Sequence, residues 1–311
     1  MSVAFVFPGQ GSQSVGMLAE LATAFPLVGE TFAEASEALG YDLWQLVQDG
    51  PADELNKTHI TQPAMLTAGI AVWRIMQDQG VATPAVVAGH SLGEYSALVA
   101  AGALNFTDAV KLVAERGRLM QEAVPVGQGA MAAILGLDDA SVIGVCESAA
   151  QGDVLSAVNF NAPGQVVVAG STAAVERVVD AAKEAGAKRA LPLSVSVPSH
   201  CALMKPAAEQ LAERLAEISI SAPTIRVINN ADVATASDAD AIRDALVRQL
   251  YSPVRWVESV QKMAEDGVDT LVECGPGKVL VGLNKRIDKS MNAMAVLDSA
   301  SLEKALTELS A

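Results

Sequence analysis

Gly89-His90-Ser91-Leu92-Gly93 stands between the apolar run Ala85-Val86-Val87-Ala88 and the helix-favouring stretch Glu94-Tyr95-Ser96-Ala97-Leu98-Val99-Ala100-Ala101-Gly102. The order strand, G-x-S-x-G, helix is that of a nucleophile elbow, a sharp turn that lifts a serine hydroxyl above a sheet edge. A bulky side chain at either glycine would clash in so tight a turn. The helix that follows aims its free N–H groups at the serine, where an oxyanion can form. The stretch therefore implies an α/β chain and acyl transfer through a serine ester. The pattern alone does not fix a reaction, so the rest of the chain must supply its partners.

The chain has 311 residues, 51% hydrophobic and 18% charged, enough for one large domain or a large and a small one. A net charge of −15 argues against nucleic acid and against anionic membrane surfaces as partners. Cys146, Cys201 and Cys274 show no paired spacing, which suits a reducing compartment. The N-terminal Met1-Ser2-Val3-Ala4-Phe5-Val6-Phe7 lacks a basic region and stops at Pro8-Gly9, unlike a signal peptide. No apolar run is long enough to span a bilayer. A soluble, cytoplasmic protein is expected.

Working outward from the elbow, residues 2–7 read as a buried first strand and 17–78 as mostly helical. The elbow strand covers 85–89 with its helix to about 101, and another helix runs from Asn105-Phe106-Thr107 to about 123. The next seventy residues change character. Strand Gly129–Leu137, helix Asp138–Ala150, strands Val154–Phe160 and Gln165–Gly170, helix Thr172–Ala185 and strand Lys188–Val197 give βαββαβ, a ferredoxin-like order. Helix 203–217, a strand near 225–228, helices 238–250 and 256–266, strand 269–273, a turn at Cys274-Gly275-Pro276-Gly277 and a last helical segment complete the chain. The expected architecture is an α/β-hydrolase-like parallel-sheet core, residues 1–125 and 197–311, with an inserted ferredoxin-like subdomain at 126–196.

A serine nucleophile needs a base, and three histidines are on offer. His90 sits inside the elbow and is expected to point away from the nucleophile's face, while His59 reads as part of a polar loop. His200 follows a β-rich run at the re-entry into the main domain, where a loop can reach a cleft; by elimination it is the base. Asp108, Asp138, Asp139, Asp153 and Asp180 lie between serine and histidine, but none makes a persuasive third member, so a Ser–His dyad with a neutral acceptor is the alternative.

Arg116 is the second informative residue. Ala109, Leu112, Val113, Arg116, Leu119, Met120 and Ala123 share one helical face, whereas Lys111, Glu115, Arg118 and Glu122 form an ordinary solvated one. A guanidinium on the apolar face requires an internal carboxylate, or one arriving with a substrate such as a malonyl group. The loop Gly9-Gln10-Gly11-Ser12-Gln13 is either a tight turn or the source of a second oxyanion N–H; it lacks the lysine and spacing of a phosphate loop. Cys201 reads as a packing residue, and no cluster has metal-ligand spacing.

Gly9-Gln10-Gly11-Ser12-Gln13, Gly89 through Tyr95, Pro198-Ser199-His200 and Gly275-Pro276-Gly277-Lys278-Val279-Leu280 occur in an order and spacing that resemble malonyl-CoA:acyl carrier protein transacylases of bacterial fatty acid synthesis. The likeness covers nearly the whole chain, insert included. It implies Ser91 as nucleophile, His200 as base, Gln249 as the residue orienting His200 through a neutral oxygen, and Arg116 as the clamp for a malonyl carboxylate. It further implies the N–H groups of Gln10 and Leu92 as oxyanion donors and places Asn159 and Asn161 along the cleft. No bound cofactor or metal is implied: malonyl-CoA is the substrate and phosphopantetheine arrives on the partner, acyl carrier protein. A monomer is expected. Polyketide-synthase acyltransferase domains and the transferase subunit of malonate decarboxylase share most of these motifs. A thioesterase or carboxylesterase, or a non-catalytic carrier-binding scaffold, are the readings from other classes. Carrier proteins are acidic, so docking would need a local basic surface, for which Lys183, Lys188 and Arg189, or Lys285, Arg286 and Lys289, are candidates.

Overall fold

In a computed structural model, which describes residues 1–195 and 197–310, the chain forms a mixed α/β protein with two separate sheets. Five parallel strands make the first: β1 (Val3–Phe7), β2 (Val86–Gly89), β7 (Arg226–Ile228), β8 (Thr270–Cys274) and β9 (Asn292–Val296), in the order β7-β2-β1-β8-β9. Four antiparallel strands make the second: β3 (Gly129–Leu135), β4 (Leu155–Ala162), β5 (Gln165–Ser171) and β6 (Arg189–Pro192), in the order β4-β5-β3-β6.

The parallel sheet is covered on both faces, which is why β1 is apolar at every position rather than alternating. Phe5 and Phe7 enter the large helical core with Leu66, Ile70 and Tyr95. Ala4 and Val6 face the other way, onto Trp256, Val260, Met263 and Leu280. The antiparallel sheet has its own core of Ala132, Ile134, Val166 and Val168 against Val142, Val175 and Val178, from helices Asp139–Ala150 and Thr172–Glu184.

Three expectations need correction. The last segment is not helical throughout: helix Val279–Ile287 is followed by β9 and then by helix Ser299–Leu309. β9 is a sheet edge built largely from small residues, a weak strand signal. The strand foreseen over 188–197 is only β6: Pro192 brings no N–H, and beyond it Leu193 N–H makes one more bond to β3, at Met131 O (2.9 Å). Ser196, the last residue of the foreseen insert, lies outside the described residues. His59 is not in a loop but in the first turn of helix Thr58–Asp78.

The two parts meet along β4. Phe160 N–H donates to Val254 O and Val254 N–H to Val158 O, at 3.0 and 2.8 Å. Arg286 reaches from helix Val279–Ile287 to the turn between β4 and β5, donating to Pro163 O at 3.1 Å and to Gln165 Oε1. No helix among the described residues is long and apolar enough to cross a membrane.

Candidate active site

Loops after β1, β2 and β7, three neighbouring strands, converge at the C-terminal edge of the parallel sheet, the usual place for ligands in open α/β folds. They bring Gln10, Ser91 and Asn230 together. The elbow is as tight as its glycines imply. A Cβ on Gly89 would lie 1.9 Å from the Gly93 carbonyl carbon, and one on Gly93 would lie 2.0 Å from Phe7 O. Both positions are set by space, since only Ser91 between them has a positive φ, 50°. Asn230 holds that strained residue: its Oδ1 accepts the Ser91 N–H at 2.6 Å while its Nδ2 donates to Gly89 O at 2.6 Å.

Ser91 Oγ lies 2.7 Å from His200 Nε2. The histidine is pinned by the frayed end of helix Ala239–Gln249, whose last carbonyls lack intrahelical donors. His200 N–H donates to Leu250 O at 3.0 Å, and Nδ1 meets Gln249 O at 2.8 Å. A carbonyl only accepts, so Nδ1 carries the proton and Nε2 presents a lone pair to the serine hydroxyl. The neutral oxygen on His200 is thus the main chain of Gln249, not its side chain. Burial, then the neighbouring Arg116 guanidinium, push the His200 pKa down to about 3.

Arg116 is 1% exposed. It donates to Gln62 Oε1 at 2.8 Å, to Gln249 Oε1 at 3.0 Å and to Ser91 Oγ at 3.3 Å, and its carbon lies 5.3 Å from the Tyr95 ring centre. Its Nε has no partner, and among the described residues it forms no ion pair. Gly117 explains how it arrives: a Cβ there would lie 2.6 Å from His59 Cα, so a bare α-carbon lets helix Phe106–Ala123 abut helix Thr58–Asp78 and brings Arg116 against Gln62.

A cleft of about 130 Å³ opens over these groups, lined by Gln10, Ser91, Leu92, Arg116 and His200 from one side and by Met131, Asn159, Val167, Leu193 and Val195 from the other. The backbone N–H groups of Gln10 and Leu92 donate to no other described residue. Asn159 Oδ1 is buried without a partner. Asn161 does not line the cleft: its Oδ1 accepts from His90 Nε2 at 2.8 Å. His90 lines the cleft too, but its ring is occupied by Asn161 and lies tilted against Trp256, and burial lowers its pKa.

None of the five aspartates named above between Ser91 and His200 bonds the histidine, whose ring nitrogens meet Ser91 Oγ and Gln249 O. Asp138 caps its helix through Ser141 N–H, Asp153 pairs with Arg177 and Asp180 with Lys183, while Asn105 rather than Asp108 caps helix Phe106–Ala123. Of the basic candidates, Lys183 is thereby paired and Arg286 bonded to the second sheet, whereas Lys285 and Lys289 share a surface groove with Lys304. The described residues contain no His/Cys/Asp/Glu group arranged to hold a metal, and all three cysteines are buried and free.

Sequence reasoning missed Gln62, Glu94 and Asn230. Glu94, 2% exposed, accepts from Gln249 Nε2 and from Asn230 N–H, each at 2.8 Å. A glutamate inside an apolar stretch was the one available signal.

Residues 4–307 match the acyl transferase domain family. The malonyl CoA-acyl carrier protein transacylase of Salmonella typhimurium is 66% identical over 98% of this chain and 99% of its own length. The crystal structure of an acyl carrier protein S-malonyltransferase from Vibrio cholerae superposes with a TM-score of 0.96 at 62% identity, covering 98% of this chain and all of that one. A malonyl-transacylase solved in complex with its type II polyketide acyl-carrier protein gives 0.98 at 61% identity, over 99% and 100% of the two chains. By sequence and by fold the chain is an acyltransferase and belongs to the malonyl CoA-acyl carrier protein transacylase family.

Proposed function

We propose that the protein moves a malonyl group from malonyl-CoA to the phosphopantetheine thiol of acyl carrier protein, through an ester on Ser91. The observation that carries this reading is Arg116: a buried cation with neutral partners only, one nitrogen unsatisfied, 3.3 Å from the serine oxygen. An unpaired buried charge is costly, and a dicarboxylic acyl group meets the demand with its free carboxylate.

In the first half-reaction Ser91 Oγ attacks the thioester carbon and its proton passes to His200 Nε2. The tetrahedral oxyanion rests on the N–H groups of Gln10 and Leu92. The C–S bond breaks, and the CoA sulfur leaves with the proton from His200. In the second, the carrier thiol gives its proton to His200 and attacks the ester; the C–O bond breaks and Ser91 regains the proton. Burial first and the guanidinium second hold His200 at low basicity, and the donor's carboxylate offsets the second of these, so a matched donor improves the base. A site left with an unmatched polar group rejects the analogue strongly, by roughly 10⁴ in favourable cases. Acetyl-CoA is such an analogue.

The supporting fold reading is that the parallel sheet with its elbow is α/β-hydrolase-like and that residues 126–196 form a ferredoxin-like insert, whose β4-β5-β3-β6 order supplies the far wall of the cleft. The test is intact-mass spectrometry after brief exposure to malonyl-CoA or acetyl-CoA. A malonyl adduct on the wild type, none on Ser91→Ala, little acetyl adduct, and discharge on adding carrier protein are expected. Free malonate without an adduct would point to a hydrolase.

A further inference from the structure

Gln249 stands between a cation and two acceptors. Its Oε1 takes a hydrogen bond from Arg116 Nη2 at 3.0 Å. Its Nε2 donates to Ser91 O at 3.0 Å and to Glu94 Oε2 at 2.8 Å. Turned over, the amide would set donor against donor at Arg116 and acceptor against acceptor at Glu94 and Ser91. Glu94 Oε2 accepts two bonds at once, and burial raises its pKa from 4.5 to about 7, so this oxygen serves as acceptor in either protonation state. The same Oε2 accepts Asn230 N–H, and Asn230 grips the Ser91 N–H. One carboxylate oxygen thus joins two arms, one ending on the nucleophile's backbone and one on the guanidinium.

We propose that Glu94 is a positioning residue for donor selection: through the Gln249 amide it holds Arg116 aimed at the carboxylate of the incoming acyl group. This rests on the reading that Arg116 receives that carboxylate. Glu94 touches neither substrate nor reacting atoms; its hold on Arg116 runs through Gln249, while its Asn230 arm supports the elbow and bears on both donors alike. Because a single oxygen accepts both bonds, a glutamine at 94 can keep them with its carbonyl oxygen, whereas a leucine of similar size cannot. The acceptor, rather than the charge, is the working part.

The experiment compares kcat/KM for malonyl-CoA with the rate of acetyl-ester formation from acetyl-CoA. It uses the full chain as wild type, Glu94→Leu, Glu94→Gln, Gln249→Met and Arg116→Ala, with thermal melts of each. Glu94→Leu is expected to lower the malonyl/acetyl ratio about tenfold or more, mainly through KM for malonyl-CoA, as loss of one buried hydrogen bond does. Glu94→Gln should restore most of that ratio. A merely structural Glu94 would lower both rates and the melting temperature together; an unchanged ratio in Glu94→Leu overturns the proposal. Should Glu94→Leu not fold, Gln249→Met decides: an unchanged ratio there shows that the amide does not aim Arg116, and the proposal falls. A ratio lost in Arg116→Ala but kept in Glu94→Leu defeats the role of Glu94 alone. A ratio kept in Arg116→Ala defeats the carboxylate clamp itself, and this inference with it.

Discussion

The two sheets bury different chemistry. Around the parallel sheet, Gln62, Glu94, Arg116, His200, Asn230, Gln249 and Glu273 are all within the interior. The core of the antiparallel sheet is made of alanine, valine, isoleucine and leucine with one cysteine. Yet both walls meet at one cleft. Polar groups are kept inside where most of their atoms find partners, and the parallel part provides these from backbone groups at element ends, such as Gln249 O and Asn230 N–H, and from buried amide side chains such as Gln62 and Gln249. The antiparallel part has its central strands β5 and β3 paired on both sides and offers the cleft mostly apolar surface plus Asn159. The difference teaches that the chemistry belongs to the first part and the shape of the cleft to both.

The sharpest way to break this division is His200→Ala, which should reduce Ser91 acylation by roughly 10²–10⁴, the usual worth of a general base. Rapid-quench adduct formation measures it; a loss under tenfold would remove His200 from the proton transfer. On the opposite wall, Asn159→Ala should cost only a few-fold in kcat/KM, since it removes one neutral group, and should leave the malonyl/acetyl ratio alone. Steady-state assays with both donors check this, and a changed ratio would place selectivity on both walls.

The smallest effects are in stability. His200 has a folded pKa of about 3 against an ordinary 6.5. Below 6.5 the unfolded chain takes the proton first, so the site's contribution is intact above that pH and is lost progressively as pH falls towards 3. Glu273, pushed up by burial from 4.5 to about 7, has the opposite sign: its contribution is present below 4.5 and lost as pH rises through 7. Melting curves from pH 3 to 8 should therefore show a flatter acid limb in His200→Gln and a flatter neutral limb in Glu273→Gln. Parallel curves for either variant would mean that its group does not titrate on unfolding.

Much of the site was legible because its signals are local. The glycine spacing of the elbow, one cation on an apolar helical face and a scarcity of histidines were enough to single out Ser91, Arg116 and His200. What could not be read was what holds them. Glu94 meets Asn230 and Gln249 across 136 and 155 residues, and Gln62 meets Arg116 across 54, separations at which no periodicity helps. The succession of strands and helices that builds the second sheet is readable along the chain, with a turn at Pro163-Gly164, whereas β9 escapes because Asn292-Ala293-Met294-Ala295-Val296 is short and mostly small. The resemblance places Asn161 along the cleft together with Asn159. Register shifts on either side of Asn159 and Phe160 break the simple alternation there, and Asn161 turns to His90.

Ser91 precedes the second sheet and His200 follows it, so the 2.7 Å contact between them spans 109 residues of chain. Closing a flexible loop of that length costs about 4 kcal/mol in chain entropy, beyond a constant term. The intervening sheet, anchored through Val254 and Arg286, holds the two ends together in the folded molecule. The enzyme therefore certifies its own assembly: a molecule whose second sheet is unfolded or undocked keeps its nucleophile but has no base beside it. Regain of activity during refolding reports the slower of the two parts, whichever that is.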